Sequence, residues 1–129
     1  MADVLVVEDT ADLRGLLEVR LRKEGHRVLS ASSGEEALTL LAGRKAPDVI
    51  VLDVVMPGMS GLELHAALGR DPALAQVPVI FLSSRIQPGD IEAGRELGAT
   101  YLTKPVVISA LFGAIQKALQ VAPTEGDTW

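Results

Sequence analysis

Two short apolar segments, each ending on a carboxylate, place the strongest constraint on the fold. Residues 4–7 are followed by Glu8 and Asp9, and residues 49–52 are followed by Asp53. Unbroken apolar runs of this length, rich in β-branched residues, are typical of strands covered on both faces. A side chain at the carboxyl end of a parallel strand lies at the edge where ligands bind. The pattern therefore predicts a buried parallel sheet with acids at one edge, although Asp53 alone would also suit a cap for the next helix.

Strand and helix patterns alternate along the whole chain. Apolar residues at helical spacing mark one side of most helices, and Gly25, Gly43 and Gly98 fall where helices should end. We number the predicted elements in chain order. The strands are β1 (4–7), β2 (27–31), β3 (49–52), β4 (77–82) and β5 (101–102), and the helices are α1 (11–24), α2 (32–41), α3 (60–68), α4 (88–97) and α5 (108–119).

Several helix ends carry specific signals. Thr10 is placed to cap α1, and Ser60 and Glu63 have the spacing of a capping box at α3. Asp71-Pro72 predicts a turn. Near the start of α5 an apolar residue stands where a capping hydroxyl is usual, so we expect Ser109 to cap a later start. The predicted core face of α1 comprises Leu13, Leu16, Leu17 and Leu21.

Five strand–helix alternations without a tandem repeat predict an α/β protein. We expect a flavodoxin-like, doubly wound, five-stranded parallel sheet of order 2-1-3-4-5 with five helices. The length of 129 residues fits one domain, which we place at residues 1–122, followed by a tail or linker at 123–129. In this strand order β1 and β3 end at the switch point, so Glu8, Asp9 and Asp53 share one crevice.

Composition excludes several functional classes. A net charge of -5 and an aromatic content of 3% argue against direct nucleic-acid binding, which needs clustered cations and stacking surfaces. The chain has no cysteine, so it forms neither disulfides nor thiolate metal sites. No apolar run is long enough to span a bilayer, and we expect a soluble cytoplasmic protein without a membrane partner.

The acidic cluster itself predicts a chemistry. Carboxylates about 5 Å apart repel by about 3 kcal/mol per pair at an effective dielectric constant near 20. Either bound protons or a divalent cation must offset this repulsion, and we favour Mg²⁺, which prefers one or two carboxylates beside a phosphate. Lys104 and Ser83, at the ends of β5 and β4, add an ammonium and a hydroxyl at the same edge. With Asp53 as the nucleophile, this set describes a phosphoryl-transfer site.

These segments together resemble a response-regulator receiver domain, the phosphoaccepting part of a two-component system. The resemblance covers residues 3 to about 121. It rests on Glu8-Asp9, on the run from Asp53 to Gly61, on Ser83-Ser84 and on Tyr101-Leu102-Thr103-Lys104-Pro105. It implies a signalling switch rather than an enzyme, although such a domain takes part in catalysing its own phosphotransfer and dephosphorylation.

The resemblance also implies roles for individual residues. Asp53 would accept a phosphoryl group from a kinase phosphohistidine, and Ser83 and Lys104 would hold phosphoryl oxygens. The implied Mg²⁺ ligands are Asp9, Asp53 and the backbone carbonyl of Val55, with Glu8 acting through water. The bond between Lys104 and Pro105 would be cis, and Ser83 and Tyr101 would form the conformational switch.

The expected partners follow from the same resemblance. They are a sensor histidine kinase or a histidine phosphotransfer protein upstream, and a protein or output domain downstream. Phosphorylation would change the α4-β5-α5 surface, through which a homodimer is a family expectation. Val55 lies where the family tunes phosphoryl lifetime. Because an apolar side chain cannot orient a hydrolytic water, we expect the phosphorylated protein to outlast a Val55→Asn variant.

Three alternatives remain at this point. A flavin mononucleotide module shares the fold class, but Glu8 and Asp9 would repel its phosphate. A phosphatase with an aspartyl nucleophile would need a second acid two residues after Asp53, where Val55 stands. A receiver-shaped module that has lost phosphorylation is the third. His26 and His65 are isolated, and we expect both at the surface.

Overall fold

The computed structural model describes residues 2–84 and 99–121 of the chain. The predicted helix at 88–97 and the tail at 123–129 lie outside these residues. The last helix keeps the number α5. The strands are β1 (Asp3–Val7), β2 (Arg27–Ala31), β3 (Val49–Asp53), β4 (Val79–Ser83) and β5 (Ala99–Thr103). The helices are α1 (Ala11–Lys23), α2 (Gly34–Leu41), α3 (Gly61–Leu68), the short helix Pro72–Ala75 and α5 (Ile108–Val121).

The strands form one parallel sheet in the order β2-β1-β3-β4-β5. Val7 pairs with Leu52, Asp53 pairs with Leu82, and Ser83 pairs with Thr103. This register brings the carboxyl ends of the four adjacent strands β1, β3, β4 and β5 to one edge. The predicted fold class and strand order are confirmed.

Two apolar layers cover the sheet because alternate strand residues point to opposite faces. On one face, Leu5, Ile50 and Phe81 pack with α2 and α3. On the other face, Val6, Val51 and Leu82 pack with α1 and α5. Every residue of β3 and β4 is buried. The strands that deliver Asp53 and Ser83 to the edge are therefore covered on both faces.

Local capping explains where two helices begin. The Ser33 hydroxyl accepts a hydrogen bond from the Glu36 amide at the start of α2. At α3, the Ser60 hydroxyl accepts from the Glu63 amide and the Glu63 carboxylate accepts from the Ser60 amide, so the predicted capping box is confirmed. Thr10 occupies the capping position of α1, but its side chain makes no capping hydrogen bond.

Three local predictions were wrong. Leu16 is 47% exposed, because it lies at the margin of the α1 stripe whose centre is Leu17 and Leu21. Asp71-Pro72 starts a short helix rather than a simple turn, since proline suits the first helical position and the Asp71 carboxylate accepts from the Ala73 amide. α5 begins at Ile108, so Ser109 lies inside the helix and does not cap it.

Within the described residues, no helix combines the length and apolar character needed to cross a bilayer.

Candidate functional site

Three carboxylates meet at the carboxyl edge of the sheet. Glu8 and Asp9 follow β1, and Asp53 is the last residue of β3. One oxygen from each carboxylate lies within 4.8 Å of the other two. Glu8 and Asp53 are buried, whereas Asp9 is exposed. The sheet thus forces two acids out of water and leaves the third at the mouth of the cluster.

The Lys104 ammonium lies between the two buried acids. Its Nζ donates a hydrogen bond to Asp53 Oδ2 at 2.9 Å and is also 2.9 Å from Glu8 Oε1. The Lys104 amide donates to the Ser83 carbonyl oxygen at 2.9 Å, which ties the end of β5 to the end of β4. The peptide bond between Lys104 and Pro105 is cis. One cation therefore serves two buried anions.

The two oxygens of Glu8 are held differently. Oε2 accepts a hydrogen bond from the Thr10 amide at 3.0 Å. Oε1 is buried and lies 2.9 Å from the Lys104 ammonium, and none of the other described residues donates a hydrogen bond to it. Burial raises the pKa of Glu8, opposed by the Lys104 ammonium and the Thr10 amide. Glu8 Oε1 is thus an acceptor with capacity to spare.

Lys104 stays charged in this setting. Burial by itself lowers the pKa of Lys104, but contact with the Glu8 and Asp53 carboxylates outweighs it and raises the pKa overall. The ammonium is therefore a fixed positive charge beside the Asp53 carboxylate.

The backbone around Asp53 is tightly built. The Val54 amide donates to the Leu82 carbonyl oxygen at 2.9 Å, and the Gly61 amide donates to the Val54 carbonyl oxygen at 2.8 Å. A Cβ at Gly61 would overlap the Asp53 carbonyl oxygen, so only glycine lets α3 begin this close to β3. The Val55 amide lies 3.3 Å from Asp53 Oδ1, and the Val55 side chain is 71% exposed.

Arg14 supports the cluster from α1, a role that the sequence pattern did not predict. Its Nη1 donates to the Glu8 carbonyl oxygen at 2.9 Å and lies 3.4 Å from the Asp9 carbonyl oxygen. The guanidinium fixes the loop that carries both acids without contacting their carboxylates. The only sequence signal for this role was the position of Arg14, a cationic residue in the first turn of the helix that follows Glu8 and Asp9.

The donor set fits a hard divalent cation. Three carboxylates face one ammonium, which leaves an excess of two negative charges when all groups are ionised. Carboxylate oxygens are the ligands that Mg²⁺ prefers, and Glu8 Oε1 and the exposed Asp9 both have capacity to accept. The residues present could therefore hold Mg²⁺ between Asp9 and Asp53.

Ser83 and Tyr101, the predicted switch residues, lie on adjacent strands. Ser83 is buried at the end of β4, at the same edge as the acids. Tyr101 lies in the middle of β5, one strand further out, and is partly buried. Its ring stacks on Phe81, with centroids 5.0 Å apart and an interplanar angle of 25°.

The two histidines are less exposed than predicted. His65 is half-buried because its ring packs against Phe81 in a T-shaped contact, with centroids 5.5 Å apart. Burial also lowers the pKa of His65. His26 is half-buried, and its Nδ1 has no hydrogen-bond partner within the described part of the chain. Both side chains are thus partly exposed, as surface residues are, but each also contacts the interior more than the sequence predicted.

Comparisons with known proteins agree with this geometry. The family model of the response regulator receiver domain matches residues 4–116. The transcriptional regulatory protein AfsQ1 of Streptomyces coelicolor is 40% identical over 121 residues, which are 93% of this chain and 52% of AfsQ1. The protein PilH of Pseudomonas aeruginosa is 37% identical over 120 residues, 92% of this chain and 98% of PilH.

A solved structure agrees as well. The chemotaxis protein CheY4 of Vibrio cholerae superposes with a TM-score of 0.84 at 32% identity, covering 92% of this chain and 99% of that one. The chain spans about half the length of AfsQ1 and about a quarter of the response regulator PleD of Caulobacter vibrioides. The similarity to these longer proteins is therefore confined to part of each.

Proposed function

This chain belongs to the response regulator receiver domain family, and from that premise we propose that Asp53 accepts a phosphoryl group from a phosphohistidine in a Mg²⁺-dependent reaction. Receiver domains are phosphorylation-dependent signalling switches of two-component systems rather than enzymes in the ordinary sense. The proposal assigns this chain its phosphoacceptor, its phosphodonor and its metal.

The observation that carries the proposal is the position of Lys104. The ammonium lies 2.9 Å from both Asp53 Oδ2 and Glu8 Oε1, and both acids are buried. Taking two carboxylates out of water costs more free energy than contact with one ammonium returns, so the chain keeps this buried cluster at a cost in stability. A phosphoryl-transfer site justifies that cost, because it works mainly by positioning and charge neutralisation.

In the proposed transfer, a carboxylate oxygen of Asp53 attacks the phosphorus of the phosphohistidine. An O–P bond forms as the N–P bond breaks, and the imidazole nitrogen of the donor keeps the electron pair. Lys104 would then exchange its contact with Asp53 for a phosphoryl oxygen, and the Ser83 hydroxyl would donate to another. The product is an acyl phosphate, from which water releases inorganic phosphate.

Mg²⁺, when bound, neutralises charge on the acids and on the phosphoryl oxygens. We assign its ligands to Asp9, Asp53 and the Val55 carbonyl oxygen, with Glu8 acting through water. The close approach of the three carboxylates supports this assignment. Arg14 and the Thr10 amide hold the loop that presents Glu8 and Asp9.

Phosphorylation adds about -1.5 to -2 charge at the edge. We propose that Ser83 turns toward the phosphoryl group, that Tyr101 responds, and that the α4-β5-α5 surface changes for a downstream partner. Receiver domains pair with histidine kinases and output domains. As the upstream partner we propose a sensor kinase or a histidine phosphotransfer protein. We also propose that a homodimer forms through the α4-β5-α5 surface. We assign residues 1–122 to the receiver unit and residues 123–129 to a tail.

The test is phosphorylation by a small-molecule donor. The protein is incubated with acetyl phosphate and MgCl2, and intact mass and peptide fragmentation locate the added group. We expect one hydroxylamine-sensitive phosphoryl group on Asp53, and none when a chelator removes Mg²⁺.

The matched control is a second Asp→Asn change. Asp53→Asn should abolish the modification, whereas Asp48→Asn, before β3 at the opposite edge of the sheet, should leave it intact. Modification that persists in Asp53→Asn, or that forms equally well without Mg²⁺, would overturn the proposal.

A further inference from the structure

Three rings form a continuous row from α3 to β5. His65 on α3 contacts Phe81 on β4 at 5.5 Å with an interplanar angle of 66°. Phe81 in turn stacks on Tyr101 of β5 at 5.0 Å. Phe81 has no solvent exposure, whereas His65 and Tyr101 are each partly exposed. The row thus joins two surface positions through one buried ring.

The row ends on the residue that the proposed function uses as a switch. Phe81 and Tyr101 are directly paired neighbours in the sheet, and Phe81 is two residues before Ser83 on the same strand. Residues two apart in a strand share a face, so Phe81 and Ser83 point to the same side of β4. Any movement of Tyr101 relative to Ser83 therefore takes place against the Phe81 ring.

From this arrangement we propose that His65 and Phe81 are positioning residues for Tyr101, with His65 holding the Phe81 ring against the tyrosine from α3. The inference rests on the proposed switch role of Tyr101 and adds a coupling between that switch and α3.

The packing supports this coupling. Phe81 belongs to the apolar cluster that also includes Leu64 and Leu68 of α3, and Tyr101 packs at its margin. A close-packed interior transmits a displacement because its side chains have little room to relax separately. Burial lowers the pKa of His65, which favours the neutral ring that packs against Phe81 as an aromatic side chain. A change at His65 therefore reaches Tyr101 through one intervening ring.

The experiment uses the fact that Tyr101 is the only tyrosine of the chain. Growth with meta-fluorotyrosine places a single fluorine label on this ring, and its NMR shift reports the position of Tyr101 against Phe81. The shift is measured with and without beryllofluoride and Mg²⁺, which mimic the phosphoryl group. Phe81→Leu defines the reference shift for a Tyr101 ring that does not stack on Phe81.

The decisive variant is His65→Leu, which fills the same space without a ring. We expect the ratio of stacked to unstacked Tyr101 to fall by about 2- to 10-fold, the usual worth of one aromatic pair. His65→Phe should restore the wild-type shift. Leu62→Ala changes a 48% exposed side chain on the same helix and should leave the shift unchanged.

The outcomes separate this inference from the proposed function. If beryllofluoride fails to move the wild-type signal, the switch role of Tyr101 is wrong. If the wild-type signal moves but His65→Leu keeps the wild-type ratio, or if His65→Phe does not restore it, the positioning role of His65 is wrong.

Discussion

Both edges of the sheet carry ion-paired side chains, a single pair at the amino edge and one lysine shared by two acids at the carboxyl edge, and this difference separates structure from chemistry. At the amino edge, Arg27 Nε lies 2.6 Å from Asp3 Oδ1, and the two side chains are 71% and 29% exposed. At the carboxyl edge, Lys104 lies 2.9 Å from Asp53 and from Glu8, whose side chains are 5% and 0% exposed. The amino-edge pair has one charge of each sign and is exposed to solvent. The carboxyl-edge cluster has more anions than cations, and its Glu8 and Asp53 carboxylates are buried.

The difference shows what each edge is built for. An exposed one-to-one pair contributes about 0–1 kcal/mol and is screened by salt. A buried cluster with more anions than cations is unfavourable until another positive charge joins it. The carboxyl-edge cluster could hold a cation, whereas the Arg27–Asp3 pair already has one charge of each sign.

Replacing the cationic residue at each edge should give the largest difference between the two edges, measured as the rate of phosphorylation. Lys104→Met should slow phosphorylation by acetyl phosphate by at least about 100-fold, because it removes a fixed donor from the phosphoryl oxygens. Arg27→Met should leave the rate unchanged. Initial rates measured by intact mass at saturating Mg²⁺ test this, and equal rates in the two variants would contradict the contrast.

A methyl group added at two glycines should give opposite effects on stability. Gly61→Ala should lower the free energy of unfolding by at least about 2 kcal/mol, since the new Cβ overlaps the Asp53 carbonyl oxygen. Gly15→Ala, inside α1 with nothing within 4 Å of the added Cβ, should raise it by about 0.5–1 kcal/mol. Urea denaturation of both variants gives the measurement. A Gly61→Ala variant as stable as the wild type would show that the carboxyl edge is less tightly built.

Neutralising one acid at each edge should change the free energy of unfolding in opposite directions. In Mg²⁺-free buffer at pH 7, Glu8→Gln should raise the free energy of unfolding by about 1–3 kcal/mol, because it relieves repulsion in the buried cluster. Asp3→Asn should lower it by less than about 1 kcal/mol. Chemical denaturation of both variants tests the pair, and a loss of stability in Glu8→Gln would contradict the excess of charge.

Glu8 should also make the free energy of unfolding depend on pH. Burial raises the pKa of Glu8 above its ordinary value of 4.5, so the folded protein holds this proton more tightly than the unfolded chain does. The stability contributed by Glu8 is therefore present below pH 4.5 and is lost as the pH rises through the raised pKa. Glu8→Gln should flatten this part of the Mg²⁺-free profile, and an unchanged slope would argue against a raised pKa.

The smallest expected effect concerns the lifetime of the acyl phosphate. Val55 is exposed beside Asp53 and offers no group to orient water. Val55→Asn should hydrolyse several-fold faster than the wild type in a phosphate-release assay after the donor is removed. Slower hydrolysis in Val55→Asn would reverse the proposed role of the apolar side chain.

The sequence predicted the fold and the meeting of the acids because both follow from local patterns. Strand and helix periods set the element order, and parallel strands bring their carboxyl ends to one edge. The proximity of Glu8, Asp9 and Asp53 therefore required only the strand order. Lys104 joined the set because it follows the last strand.

Contacts across the fold were harder to predict. The guanidinium of Arg14 reaches two backbone carbonyls, and its sequence position does not distinguish it from other helix cations. His65 was assigned to the surface because an isolated histidine on a short helix gives no sign of the phenylalanine that it meets on β4. Ser109 lies within one turn of the true start of α5, where sequence signals seldom fix a boundary.

The most direct test of the account is a crystal structure of the protein grown with Mg²⁺, beryllium chloride and fluoride. We expect a cation between Asp9 and Asp53, a beryllofluoride group on a carboxylate oxygen of Asp53, and the Lys104 ammonium moved from Asp53 Oδ2 onto a fluoride. A structure in which Asp53 is unmodified and Lys104 keeps both carboxylate contacts, with Mg²⁺ bound elsewhere or not at all, would contradict it.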